Sequence, residues 1–117
     1  VAGASVHRHK YGNQVLRLLQ KQGRDVVPVN PNAVEVEGLP AFTALSHVEP
    51  RPDAICIITP PDVTEQIVKE AVNLGIQNIW MQPGAESESA IATCEAAGMN
   101  VIHSGPCILV VAGYQNF

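Results

Sequence analysis

The sequence predicts an α/β fold, a Rossmann-like doubly wound parallel sheet in three α/β/α layers. Three observations carry that reading. Short apolar runs of strand length alternate with segments of helical period, and each run stops at a Gly, Pro or Asn cluster. Residues 54–59 are apolar almost throughout with two isoleucines in succession, as a central parallel strand covered on both faces must be. Parallel strands joined through helices require right-handed crossovers, which places helices on both faces of the sheet.

Residues 1–4 form a first strand that is short for its class, so the sequence reads as starting inside it. A helix follows over residues 11–22, with Val15, Leu18 and Leu19 on one face and Gly23 as its C-terminal stop. Residues 26–29 make a second strand, ended by Asn30, Pro31 and Asn32. Residues 39–42 are expected as a short edge strand, because proline is tolerated there, with a helical turn after Thr43. Pro60 and Pro61 end the strand of residues 54–59.

Asp62 and Glu65 form a capping-box-like pair for the next helix, whose Val63, Ile67, Val68, Ala71 and Val72 recur at helical spacing up to Gly75. A strand over residues 78–82 stops at Pro83 and Gly84. Ser87 is the expected N-cap of a last helix with Ile91, Cys94 and Ala97 on one face, closing at Gly98. Val101 and Ile102 supply the final strand.

The 117 residues suit one domain, residues 1–117, with a composition that is 46% hydrophobic and 15% charged, as in a globular chain. A net charge of −4 argues against a general nucleic-acid binder. The apolar runs are too short for a membrane-spanning helix, and three cysteines without metal or disulfide spacing indicate reduced thiols. The expectation is a cytoplasmic protein, or one in another reducing intracellular compartment, free of membrane; a protein partner or a homo-oligomer is compatible with it.

In open α/β sheets ligands bind beyond the carboxyl ends of the strands, where strand order reverses. Four loops lie there: Gly3, Ala4 and Ser5; Asn30 and Pro31; Thr59, Pro60 and Pro61; and Gln82, Pro83 and Gly84. In a three-two-one-four-five order the first and third of these face each other as crevice walls. Gly3 lets a phosphate approach the backbone, the helix starting at Tyr11 presents its positive end, and Arg8 and Lys10 add counter-charge. The Gly-x-Gly-x-x-Gly fingerprint is absent, and strand two ends in Asn30 rather than the acidic residue that holds the ribose of NAD. NADP stays open as an alternative ligand, since Arg8 can meet its extra phosphate. Coenzyme A, with a 3′-phosphate, a diphosphate and a flexible arm, fits a basic first loop beside the rigid apolar surface of Pro60 and Pro61 better.

Taken together, Gly3-Ala4-Ser5, Val27-Pro28-Val29-Asn30-Pro31, Gly38-Leu39-Pro40, Thr59-Pro60-Pro61, Trp80-Met81-Gln82-Pro83-Gly84 and Cys107-Ile108 resemble, in order and spacing, the small CoA-binding proteins related to the N-terminal domain of the succinyl-CoA synthetase alpha subunit. The resemblance implies that coenzyme A contacts Gly3, Ala4, Ser5 and nearby basic residues through its phosphates. It also implies Asn30 and Pro31 near the adenosine end and Thr59, Pro60 and Pro61 along the arm. The short first strand and the tail of residues 110–117 depart from the family pattern.

The synthetases of that family act through a phosphorylated histidine in a further domain, and His103 does not match it. His7, His9 and His47 lie in loops without a triad partner, and Glu65, Glu70, Glu86, Glu88 and Glu95 read as helix-surface solvation. No catalytic constellation and no metal site emerges; His103 with Cys107 supplies too few ligands. Cys107 is the one side chain placed to form a mixed disulfide with a ligand thiol, whereas Cys56 and Cys94 read as core. The reading is therefore a non-catalytic module binding coenzyme A or an acyl-CoA, as carrier, sensor or regulatory partner. An NAD(P)-dependent oxidoreductase or redox sensor, and an interaction domain that has lost its ligand, are the alternatives.

Overall fold

The computed structural model describes residues 1–103; the expectations for Cys107 and the tail of residues 110–117 fall outside them. Among the described residues three α-helices are present: α1, Tyr11–Lys21; α2, Pro61–Leu74; and α3, Glu88–Ala96. The strands are β1, Glu35–Val36; β2, Leu39–Pro40; β3, Ala54–Ile57; β4, Asn78–Met81; and β5, Asn100–Ile102.

Strands β3, β4 and β5 form a parallel sheet in that order, with Ile55 beside Ile79 and Ile79 beside Val101. Beyond β3 the sheet continues through single parallel bridges from Ile57 to Ala2, from Ala2 to Val29 and from Val29 to Phe42. The spatial order is thus Phe42, Val29, Ala2, β3, β4, β5, and the switch point falls between Ala2 and β3. That is the doubly wound Rossmann-like arrangement, although the expected first and second strands are each reduced to one bridging residue. Hydrogen bonds from Ala2 N to Cys56 O (2.9 Å), Ile58 N to Ala2 O (2.9 Å) and Gly3 N to Val29 O (3.1 Å) hold this seam.

Alternation along the strands divides the core between two faces. Ile55, Ile57, Ile79 and Met81 pack with Val68 and Ala71 of α2 and with Ala90 and Cys94 of α3. Cys56, Ile58 and Trp80 point the other way, onto Val15 and Leu19 of α1. Leu16 of α1 closes over Ala4 and Val36. The buried face of α1 keeps Val15 and Leu19 but includes Leu16 rather than Leu18.

Two local expectations are corrected. Residues 39–42 do not form one edge strand: Leu39–Pro40 pairs antiparallel with Glu35–Val36, and only Phe42 joins the main sheet. The turn between β1 and β2 places Glu37 at φ 49° and Gly38 at φ 81°, the two positive values that a tight type I′ hairpin needs. Asp62 does not cap α2 either. The N-cap is Pro60 and Pro61 takes the first helical position, where a missing N–H costs nothing. Ser87 caps α3 as expected, its hydroxyl accepting from Ala90 N at 3.3 Å. The turn after Thr43 is a short 3-10 helix, Leu45–His47.

Candidate functional site

A cleft of about 660 Å³ opens at the carboxyl ends of the central strands, between the loop after Ala2 and the loop after β3. Gly3, Ser5, Lys10, Tyr11 and Gly12 line one wall, Asn30, Pro31 and Asn32 its upper edge, and Ile58, Thr59, Pro60, Val63 and Ile67 the opposite wall. A second depression, of about 160 Å³, sits by Ala54, Asn78 and Asn100 at the amino ends of the strands and presents no charged side chain.

Gly3 stands at φ 94°, and a Cβ there would come within 3.0 Å of the Ile58 carbonyl group and 3.2 Å of Thr59 Cγ2. The two walls therefore approach each other as closely as they do only because this residue lacks a side chain. Gly12, in the first turn of α1, is equally constrained, since a Cβ would collide with the Gly3 carbonyl oxygen. Sequence reasoning passed over Gly12; its signal was a glycine inside a helix, where it is disfavoured unless something packs closely.

The first-turn amides of α1 have no partners within the helix, and no side chain caps Lys10 at its N-cap. Tyr11 and Gly12 bring that positive end to the cleft wall, beside Lys10. The Tyr11 hydroxyl donates to Gln82 Oε1 at 2.9 Å, which ties the start of α1 to the end of β4. Gln82 itself is fully buried, its backbone N–H donating to Ile57 O at 3.0 Å.

Asn30 is both lining and strut. Its Nδ2 donates to Ala4 O at 2.8 Å, and its Oδ1 accepts from Asn32 N at 2.7 Å, so the loops after the first two strands are locked together. On the opposite wall, buried Thr64 sits 2.9 Å from Thr59 across their hydroxyls and also donates to Pro60 O at 3.2 Å. Thr64 was not anticipated; a hydroxyl one turn into a helix that follows a strand-ending Thr was its only trace.

Of the expected site residues, the cleft brings together Gly3, Ser5, Lys10, Tyr11, Asn30, Pro31, Thr59 and Pro60. Ala4 lies buried behind them, Pro61 starts α2, Gln82 supports Tyr11, and Pro83 and Gly84 occupy the next loop, where Gly84 N donates to Glu86 Oε1 at 2.8 Å. Arg8 is drawn aside, its Nε 3.6 Å from Glu37 Oε1. Glu65 and Glu86 are not merely solvated: Glu65 Oε1 accepts from the Ser87 hydroxyl at 2.6 Å.

Burial pushes the Cys56 thiol up to about 11, against the opposing pull of the Val1 amino group and a hydrogen bond with Gln82. Burial also raises Cys94. Neither thiol is a nucleophile near neutrality. Among the described residues no group of three or more His, Cys, Asp or Glu side chains could hold a metal ion, and no helix is long and apolar enough to cross a membrane. The arrangement suits recognition of an anionic ligand at the glycine-lined wall, with apolar contact along Val63 and Ile67.

Known proteins share this construction. A conserved hypothetical protein from Pyrococcus furiosus is 41% identical and superposes with a TM-score of 0.88 over 94% of each chain. The apo form of the dinucleotide-forming acetyl-coenzyme A synthetase 1 of Ca. Korarchaeum cryptofilum is 29% identical with a TM-score of 0.77, over 91% of this chain and 25% of that one. An uncharacterized protein of Bacillus subtilis, YneT, is 24% identical over 102 residues, 87% of this chain and 76% of its own length. The family match gives NADP no support as the ligand. With its residues 1–113 matching the family from one wall of the cleft to the last strand and beyond, the chain belongs to the CoA binding domain family.

Proposed function

We propose that this chain binds coenzyme A, free or acylated, in the cleft at the carboxyl ends of the strands, and that it does so as a binding module without chemistry of its own. The observation that carries the proposal is the asymmetry of the cleft. Gly3, Gly12, Lys10 and the amino end of α1 gather on one wall, while Pro31, Leu45, Val63 and Ile67 make an apolar region beyond it. A ligand with a pyrophosphate and a long, weakly polar body matches both parts: backbone amides and a helix end suit the phosphates, and rigid apolar walls suit the rest.

Membership of a CoA binding domain family supports the choice of ligand. The raised thiol pKa values of Cys56 and Cys94 support a non-catalytic role, because a nucleophile has to be available near neutral pH. A reducing intracellular compartment would suit both these thiols and a thiol ligand.

Calorimetric titration with coenzyme A, acetyl-coenzyme A, NAD and NADP in parallel tests this reading. Saturable binding of coenzyme A or its acetyl ester, with weaker or no binding of the nicotinamide dinucleotides, is the expected result. Equal binding of all four, or none from a folded chain, would overturn it. In the second case the cleft serves a protein contact instead.

A further inference from the structure

We infer that Glu37 is a specificity-determining positioning residue beside the cleft: its carboxylate holds Arg8 aside, and a ligand carrying a phosphate beyond its pyrophosphate has to exchange that ion pair for one of its own. The inference rests on coenzyme A as the ligand.

Glu37 is the fixed half of the pair. It is the non-glycine residue in the described chain with a positive φ, 49°, a conformation that an L residue adopts only against steric resistance. Two side chains of α1 hold it there. Gln20 Nε2 donates to its carbonyl oxygen at 3.1 Å, and Asn13 Nδ2 donates to its Oε2 at 3.2 Å. The Glu37 side chain is 22% exposed.

Arg8 is the movable half. Its side chain is 68% exposed, and the contact with Glu37, at 3.6 Å, is longer than a good charge-assisted hydrogen bond. Its backbone, by contrast, is anchored: Arg17 donates to Arg8 O at 2.9 Å. The same Asn13 amide that reaches Glu37 also donates to Ser5 O at 2.7 Å, so the carboxylate and the cleft-lining loop are fixed to one point. Arg8 therefore pivots on a stationary backbone in the loop between Ser5 and Lys10, both of which line the cleft, while its own side chain is turned to Glu37 outside the cleft lining. An exposed ion pair is weak enough for a phosphate, with its greater charge and three acceptor oxygens, to displace the carboxylate.

The test is titration of the wild type, E37Q, E37G and the double variant R8Q/E37Q with coenzyme A and with dephospho-coenzyme A at low salt, where screening is least. E37G keeps the backbone conformation without strain, so it guards against a folding defect in E37Q. Both single variants are expected to bind coenzyme A roughly two- to fivefold more tightly than the wild type, the size of one exposed ion pair. The gain should shrink for dephospho-coenzyme A and vanish against R8Q. Unchanged affinity in E37Q and E37G, or a gain that survives removal of Arg8, overturns the role of Glu37 while leaving coenzyme A binding intact. Failure of the wild type and both single variants to bind overturns the ligand assignment, and Glu37's role with it.

Discussion

At Gly12 one hydrogen atom separates a working cleft from a blocked one. The helix that carries it comes so close to the first loop that a methyl group would overlap the Gly3 carbonyl oxygen. Backbone cannot yield as a flexible side chain can, so Gly12→Ala is expected to destabilise the protein by about 1–3 kcal/mol, the usual cost of forcing extra volume into a packed site. A shift of that size in urea denaturation checks it; an unchanged midpoint would mean that α1 moves outward freely. Arg8 shows a different limit of single-residue reasoning. Its charge and loop position were plain in the sequence, but its direction depends on Glu37 adopting a left-handed conformation, which residue type alone does not announce.

Among the elements, those with strong periodicity and glycine stops were the legible ones. Helices α1, α2 and α3 fall within a few residues of their expected bounds, because Gly23, Gly75 and Gly98 all follow them at positive φ. The β1–β2 hairpin was missed: two residues a side carry too little alternation to register, and a Glu at its turn hides the type I′ signal. Asp62 was misread as a cap because Pro60 and Pro61 already begin the helix, leaving the acid one position inside the first turn. Ser87 was read correctly, yet its second role was not. Its hydroxyl accepts from Ala90 N and donates to Glu65 of α2, joining two helices at one atom. Ser87→Ala should therefore cost about 1–2 kcal/mol, a cap and a charge-assisted hydrogen bond together. Glu65→Gln, which keeps an acceptor, should cost less; thermal unfolding of the two variants separates these contributions.

For the molecule as a whole, the order of the strands was readable and their extent was not. Two of the expected strands meet the sheet through one residue each, Ala2 and Val29, so the regular three-stranded part lies entirely on one side of the switch point. Cys56 sits beside that seam, and its titration reports on the entire fold. Because the folded thiol is raised from 9.0 to about 11, the unfolded chain loses this proton first. Stability supplied by the neutral thiol is present below pH 9 and falls as pH climbs through 11, by roughly 3 kcal/mol in all. Urea denaturation across that range should show the decline in the wild type and a flatter profile in Cys56→Ala. Parallel slopes would place the titrating group elsewhere.

The single-residue bridge at Ala2 also sets a timetable. Its neighbours in the sheet are Val29 and Ile57, both distant in the chain, and closing such separations is what slows folding in parallel topologies. Gly3 cannot meet Ile58 until β3 is in place, so the glycine-lined wall has no shape before that strand is added. Anything that binds in the cleft therefore meets a wall that exists only once the sheet is assembled on both sides of Ala2.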